Sequence, residues 1–562
     1  LQRRTDERVA KVPRQRTPHL DGVRNVMCSL TREEYSRQHR RGVSIAVSVS
    51  FDDPGWDPMD VVEALPETMR VDLFETPGGP ADLERRTFLT WAPEFELVLR
   101  QNVLETWRRS RCVRTRAVKH PLQELRRILQ RQGATRLSEA DGFRGGFVGF
   151  LSYEFKNHLE ALPDTVLDDL ETPELRLGFV RRVLSWDHRA SRISLCVNLR
   201  AQSDDADADY ADVLAALDAF YGEVVSLEVT HSLAHAGVTA AAELERPPRV
   251  APQALRSNLS RQAYDDMLAA AKQHIFAGDI YQANLSHRFE APFRGSGAPL
   301  YRHLRRINPS PFASYIRLPA LGSTPSCEIV SCSPERLVRV QEGKVETRPI
   351  AGTRPRNVDS HADRQLERDL LDSDKERAEH VMIVDMARND IGRVCKRGTV
   401  HVDRFMSVER YSHVRHLVSN VSGELSDDCD ALDVLAATFP GASITGVPKV
   451  RCMQIIDELE TVRRGIYTGS AGYIGLDGAI DLNILIRSFL LQEGRAWFHV
   501  GGGIVADSDA EHEYDETISK GRALYEALVA VSHSREEVGT AFPATSRHPN
   551  RSAQCEDNDS FS

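Results

Sequence analysis

The sequence predicts an α+β protein in which large antiparallel sheets pack with flanking helices. Three observations carry that expectation. Short runs alternate apolar and polar residues, the pattern of half-buried strands. Other stretches repeat apolar residues at helical spacing. The two kinds do not alternate strictly, as a doubly wound parallel sheet requires. The chain has 562 residues, 41% hydrophobic and 27% charged, which is ample material for a sizeable core. With 72 basic and 82 acidic residues its net charge is −10, a balance that disfavours non-specific nucleic-acid binding. No apolar run approaches the ~18–20 residues of a membrane span. Nine dispersed cysteines form no CxxC pair and read as reduced thiols of a cytoplasmic protein.

Along the chain, residues 1–26 are basic and read as a disordered arm. Residues 27–240 form a first region, with strands expected at 44–51 (SIAVSVSF) and 191–199 (SRISLCVNL). Gly142, Gly145 and Gly146 mark a turn into FVGFLSYEF, and 205–221 reads as an amphipathic helix. A Pro-containing connector at 241–258 leads to a second region, 259–532. That region opens with a helix capped by Ser260, whose apolar face is Tyr264, Met267, Leu268, Ala271 and Ile275, ending at Gly278. Strands follow in YQANLSHRFEAPF, CEIVSC (327–332), RLVRV (336–340) and AWFHV (496–500), with IDLNILIRSFL (480–490) read as one apolar strand. Residues 533–562 have few large apolar residues and read as a disordered tail.

Two acidic helices stand out. In SDKERAEHVMIVDMARND (373–390), Ser373 or Asp374 caps a helix that carries Glu376 and Glu379 three apart on one face. In GGGIVADSDAEHEYDETISK, Gly501, Gly502 and Gly503 precede a helix capped by Ser508 or Asp509, with Glu513 and Glu516 again three apart and Lys520 one turn on. Alone, each pair is an ordinary acidic helix start favoured by the dipole. Together they offer an all-oxygen site for Mg²⁺, without which facing carboxylates repel and raise one another's pKa. The three glycines let backbone N–H groups approach an anion. In PGASITGVPK (440–449), Gly441 and Gly446 have P-loop spacing, but Val447 and Pro448 stand where Lys and Ser/Thr are required, leaving the hydroxyls of Ser443 and Thr445 as the polar groups. Arg487, in an apolar run, needs a carboxylate partner, either structural or a ligand's.

From about Ser260 to Val531 the ordered motifs GDIYQANLSHRF, INPSPF, SPERL, RPIAGTRPR, KERAEHVMIVDMARNDIGRV, HVRHLVSNVSGEL, SITGVPKVRCMQIIDELE, YTGSAGYIG, ILIRS and GGGIVADSDAEHEYDETISK resemble the chorismate-utilising enzymes. The likeness is to the large subunits of anthranilate synthase and aminodeoxychorismate synthase. LFET (73–76) and GGFVGFLSYEF (145–155) resemble the less distinctive N-terminal part. The resemblance implies two large antiparallel sheets with a cleft between them. In that cleft Mg²⁺ meets the ring carboxylate of chorismate, with Glu379 and Glu516 as ligands and Glu376 and Glu513 as supporting carboxylates. Tyr467 and Arg487 match the holders of the enolpyruvyl carboxylate. Gly501–Gly503 match a loop that donates backbone N–H groups, and Ser443, Thr445 and Lys520 match cleft positions. Glu335 and His416 match the acid/base candidates. The C4 hydroxyl leaves poorly unless protonated, so a carboxylic acid of raised pKa is required, and Glu335 is the expected one.

Gln282 stands where water-using relatives carry a lysine, which implies ammonia as the nucleophile. No GxCxGxQ motif is present, so ammonia is expected from a separate glutamine amidotransferase subunit. YQANLS (Asn284), NPSPF, SITGVPK (Thr445) and IDLNILIRS (Asn483) resemble the aminodeoxychorismate branch, which feeds para-aminobenzoate and folate. Ala351 in RPIAGT and the VERYSHV stretch resemble the anthranilate branch of tryptophan synthesis. The expectation is aminodeoxychorismate synthase component I, with anthranilate synthase component I as the alternative and a catalytically silent scaffold subunit as the rival from another class. LFET departs from the LLES typical of the tryptophan-regulated enzymes.

Overall fold

A computed structural model describes residues 27–78, 85–133, 142–235, 255–355, 359–410 and 414–531. The expected basic arm, most of the connector and the tail lie outside them.

Two antiparallel sheets dominate. The first runs Met27–Cys28, Ser44–Asp52, Arg192–Arg200, Arg182–Asp187, Arg86–Trp91, Val71–Glu75, Phe312–Leu318, Cys327–Ser333, Ser488–Gln492, Arg495–Ile504, Gln282–Pro292 and Arg256–Ser257. The second runs Ile350–Pro355, Val414–Glu424, Lys344–Arg348, Arg336–Gln341, Ile480–Asn483, Ser470–Gly475, Gly146–Leu151, Leu175–Val180, Phe95–Arg100, Val103–Arg108 and Arg111–Ala117. Both sheets draw on both regions of the chain. Leu73 pairs with Tyr315 in the first sheet, and Gly149 with Gly472 in the second. The division at the connector is therefore one of sequence only, because residues 27–235 and 255–531 share their hydrogen-bond ladders.

Phe150 and Ala471 of the second sheet pack with Ile316, Ile329, Leu490 and Trp497 of the first to form the layer between them. Each such fully buried side chain contributes roughly 1.5–3 kcal/mol. The neighbours of Trp497 face the other way: Phe498 and Val500 join a core with helices Gly297–Ile307 and Ala510–Val531. This is the period-two alternation that AWFHV announces. The helix expected at 205–221 runs Ala206–His235 and buries Tyr210, Val213, Leu217, Phe220 and Val224. Ser260 caps Arg261–Phe276 as expected, accepting from Ala263 N. Among the described residues no helix is long and apolar enough to cross a membrane.

Two expectations are corrected. Residues 480–490 are not one strand. Ile480–Asn483 ends in the second sheet and Ser488–Gln492 begins in the first. The segment between them crosses over, and Arg487 takes a positive φ of 55° that breaks any continuous ladder. The consecutive apolar Ile484, Leu485 and Ile486 are all at least half-buried, against two different cores, and so carry no alternation from which a break could be read. Likewise, Gly501–Gly503 are not a loop. They lie within Arg495–Ile504, opposite Ser286, Leu285 and Asn284. On its other edge this strand pairs with Ser488–Gln492 only as far as Trp497. The sheet parts beyond Trp497, and Arg487, immediately before Ser488, stands at that parting.

Candidate active site

Helix Asp374–Gly392 is capped by Ser373, whose Oγ accepts from Glu376 N at 3.3 Å. One turn in, Glu379 Oε1 accepts from Gln282 Nε2 at 2.7 Å, joining the helix to the strand Gln282–Pro292. Glu376 lies against Gly352, where an added Cβ would sit 2.8 Å from Glu376 Oε2. Helix Ala510–Val531 is capped by Asp509, which accepts from Glu511 N and His512 N. Ser508 instead accepts from Val505 N and donates to Glu513 Oε1 at 2.7 Å. Lys520 Nζ bonds Glu516 Oε1 at 2.7 Å and Gly501 O at 3.1 Å.

The two helices converge electrostatically. Burial raises the Glu379 pKa; the Gln282 bond opposes this, as does Lys520, while the like charges of Glu376 and Glu516 push it up further. The glycine strand closes one wall. A Cβ on Gly503 would lie 2.1 Å from Gln282 Nε2 and 3.1 Å from Glu379 Oε1, and one on Gly501 would lie 2.8 Å from Tyr467 Oη. Gly502 faces Glu513 and Lys520 at 3.5 and 3.9 Å. A ready-made cage of four glutamates is not present: among the described residues no three acidic, His or Cys side chains converge to ligating distance. Glu513 is buried and engaged by Ser508. The oxygen-only, mutually repelling set around Glu379 still suits Mg²⁺, which keeps several waters and takes only one or two protein carboxylates.

Tyr467 stacks on His499, ring centroids 5.0 Å apart. Arg487 lies in the parting of the sheet, where burial disfavours its charge and Tyr467 and Glu516 support it. Among the described residues it forms no ion pair with a carboxylate, so the structural-partner alternative falls away and its guanidinium remains for a ligand.

Glu335 is 5% exposed and its Oε1 accepts from Ser443 Oγ at 2.7 Å. Burial pushes its pKa up to about 7 against the pull of that bond. The side chain is thus substantially protonated at neutral pH, as an acid must be. His416 is buried on the strand Val414–Glu424 and is driven down to about 3 by burial, then by the charges of Arg487 and Lys520. A neutral ring favours the base over the acid among its expected acid/base roles. Thr445 is corrected. It is fully buried and spends its hydroxyl on Gly441 O at 2.9 Å, which shapes the loop but leaves nothing for substrate.

Two residues escaped the sequence reading. Buried Arg464 donates to Asn284 O, Ile444 O and Glu460, and its guanidinium lies 5.7 Å from the Tyr467 ring centre. It thereby ties the Gln282 strand, the Ser443 loop and Tyr467 together. The only available signal was Glu460 and Arg464 at i,i+4. His499 had none.

A two-sheet sandwich that parts beside an arginine with no ion-pair partner among the described residues, and that gathers carboxylates and a lysine near the same parting, offers a site for a small dianion. The chain belongs to the chorismate binding enzymes, whose family model matches residues 85–526. It is 38% identical to anthranilate synthase component 1 of Aquifex aeolicus, over 83% of this chain and 90% of that one. It is 39% identical to aminodeoxychorismate synthase component 1 of Bacillus subtilis, over 69% and 78%. The crystal structure of anthranilate synthase component I from Streptococcus pneumoniae superposes with a TM-score of 0.63 at 31% identity, covering 79% of this chain and 92% of that one. The protein is thus an enzyme acting on chorismate.

Proposed function

We propose that this enzyme aminates chorismate with ammonia, in a Mg²⁺-dependent reaction, and that a separate glutamine amidotransferase subunit supplies the ammonia. Gln282 carries the reading. Its Nε2 is committed to Glu379, while its Oε1 is a buried acceptor with no donor. An N–H of ammonia satisfies that oxygen, and ammonia needs no base to become nucleophilic. Water would need one, and Gln282 cannot supply it. Arg487 and Tyr467 hold the enolpyruvyl carboxylate. Glu379 and Glu516 would hold Mg²⁺, which supplies neutralisation of the ring carboxylate. Glu335 protonates the C4 hydroxyl as it leaves.

For the product we propose 4-amino-4-deoxychorismate, which makes the chain an aminodeoxychorismate synthase component I. Asn284 supports this: it is half-buried on the Gln282 strand and donates to Ser443 O at 3.3 Å, beside the acid. Thr445 and Asn483 lose their weight, since both serve the backbone, Asn483 by bonding Ala471 N and Phe312 O. A second reading, anthranilate with release of pyruvate, is favoured by Ala351, which cannot add covalently to the ring, and by the similarity to anthranilate synthases. Mass analysis of chorismate incubated with the chain, ammonium and Mg²⁺ separates the outcomes. An aminated ring product supports the reading, pyruvate with anthranilate moves the product to the second, and no turnover refutes both.

A further inference from the structure

The inference rests on the reading of Glu335 as the acid. Each turnover transfers the Glu335 proton to the C4 oxygen, the C–O bond breaks, water departs and a carboxylate is left behind. That carboxylate must be reprotonated before the next turnover, yet Glu335 is only 5% exposed in the free protein. The cleft therefore does not wet it freely.

A cavity of about 20 Å³, enough for about one water, adjoins it, lined by Glu335, Ser443, Asp390, Thr438 and the apolar Ile383 and Ala387, among others. Arg487, Tyr467, Gln282 and the three glycines do not line it, so it meets the site for the dianion only at Glu335 and Ser443. Asp390 Oδ2 accepts from Lys449 Nζ at 2.7 Å, and Lys449 also donates to Thr438 O at 3.3 Å. The Asp390 and Lys449 side chains are 17% and 15% exposed, so the pair touches both cavity and solvent. The charges facing Asp390 are Lys449 and Arg393. No charged group faces the Glu335 carboxyl closely, because neighbouring Arg336 is paired with Asp481.

We propose that the Asp390–Lys449 pair returns the proton to Glu335 through water held in this cavity. The water gives one proton to the Glu335 carboxylate and takes one from the pair, whose carboxylate and amine share a transferable proton that solvent then replaces. The balance closes: the nitrogen sheds one proton as it bonds to carbon, and the departing hydroxyl consumes one. Burial, which raises the Asp390 carboxyl against the pull of Lys449, favours such sharing. Asp390 touches no substrate and is a positioning residue for the acid's proton.

Rapid-quench kinetics of the full chain with chorismate, ammonium and Mg²⁺ test this. At pH 6, below the Glu335 titration, Asp390→Asn starts with most of its Glu335 protonated, so the expected record is close to one product per site at the wild-type rate, followed by a steady state slower by about tenfold or more. Chorismate KM stays unchanged. Ala387→Leu fills the cavity without altering a polar group and gives the same burst. First and later turnovers slowed equally in both variants, or a wild-type steady state in both, overturns the proposal. A wild-type chain with no chorismate turnover instead sinks the functional reading, before any variant is compared.

Discussion

Ser443 Oγ holds Glu335 Oε1 at 2.7 Å, fixing one oxygen of a carboxyl that burial keeps half-neutral near pH 7. Glu335→Gln preserves the shape and the acceptor and removes the proton. Turnover falls by ~10²–10⁴-fold. Stability moves the other way. The folded pKa, about 7, lies above the ordinary 4.5, so the native state gains nothing from ionisation and loses stability as pH rises from about 4.5 through about 7. The variant escapes that loss. At pH 8 it is more stable than the wild type by on the order of 1–3 kcal/mol, and at pH 4 the two are equal. Denaturant melts at both pH values check this, and a variant less stable at pH 8 contradicts the neutral-acid assignment.

The glycine strand gives an internal control. Gly503→Ala drives a Cβ to 2.1 Å from Gln282 Nε2, whereas Gly502→Ala meets nothing nearer than 3.5 Å. The first breaks the Gln282–Glu379 bond and lowers kcat/KM by at least about a hundredfold, as displacement of positioned groups by an ångström does. The second retains activity within a few-fold. Steady-state kinetics on both, with circular dichroism to confirm folding, reads the difference.

The sequence disclosed what short-range physics determines. Ser260, Ser373 and Asp509 cap helices because a side-chain acceptor one residue before an apolar repeat has little else to do. The glutamate pairs were visible because i,i+3 spacing fixes a shared face. The crossover at 484–487 was not visible, since an apolar run packed against two cores looks the same whether it continues or changes sheet. Thr445 was misjudged, and the tie that Arg464 makes to the Gln282 strand and the Ser443 loop was missed, because the partners there are backbone carbonyls, which leave no trace in residue identity.

The carboxylate cluster predicts a proton-coupled metal site. Glu379 is raised by burial and by Glu376 and Glu516, so binding a cation releases a proton and tightens as pH rises through the Glu379 titration. Glu379→Gln and Glu516→Gln weaken Mg²⁺ binding, and Glu516→Gln abolishes Mg²⁺-stimulated turnover. Calorimetric titration in two buffers of different ionisation enthalpy measures the released proton. Equal Mg²⁺ affinity in wild type and both variants places the ion elsewhere.

Replacing Ala351 tests how the nitrogen of the proposed product reaches C4. The alanine is 6% exposed, on the strand Ile350–Pro355, with a register irregularity between it and Thr353 and with Gly352 facing Glu376. A methyl group cannot add to the ring, so the proposed 4-amino product requires ammonia or another group to open the reaction at C2. Ala351→Lys introduces an amine into buried surroundings that favour its neutral, nucleophilic form. Addition of that amine at C2, with loss of the C4 hydroxyl as water, joins the ring to the chain. Ammonia entering at C4 then expels the lysine. The variant therefore shifts product towards 4-amino-4-deoxychorismate, and without ammonium it accumulates a covalent adduct heavier than the chain by chorismate less one water. Intact-mass spectrometry and product ratios report both. An unchanged ratio with no adduct means that this position does not govern the outcome, and that Gln282 and Asn284 are the residues to exchange next.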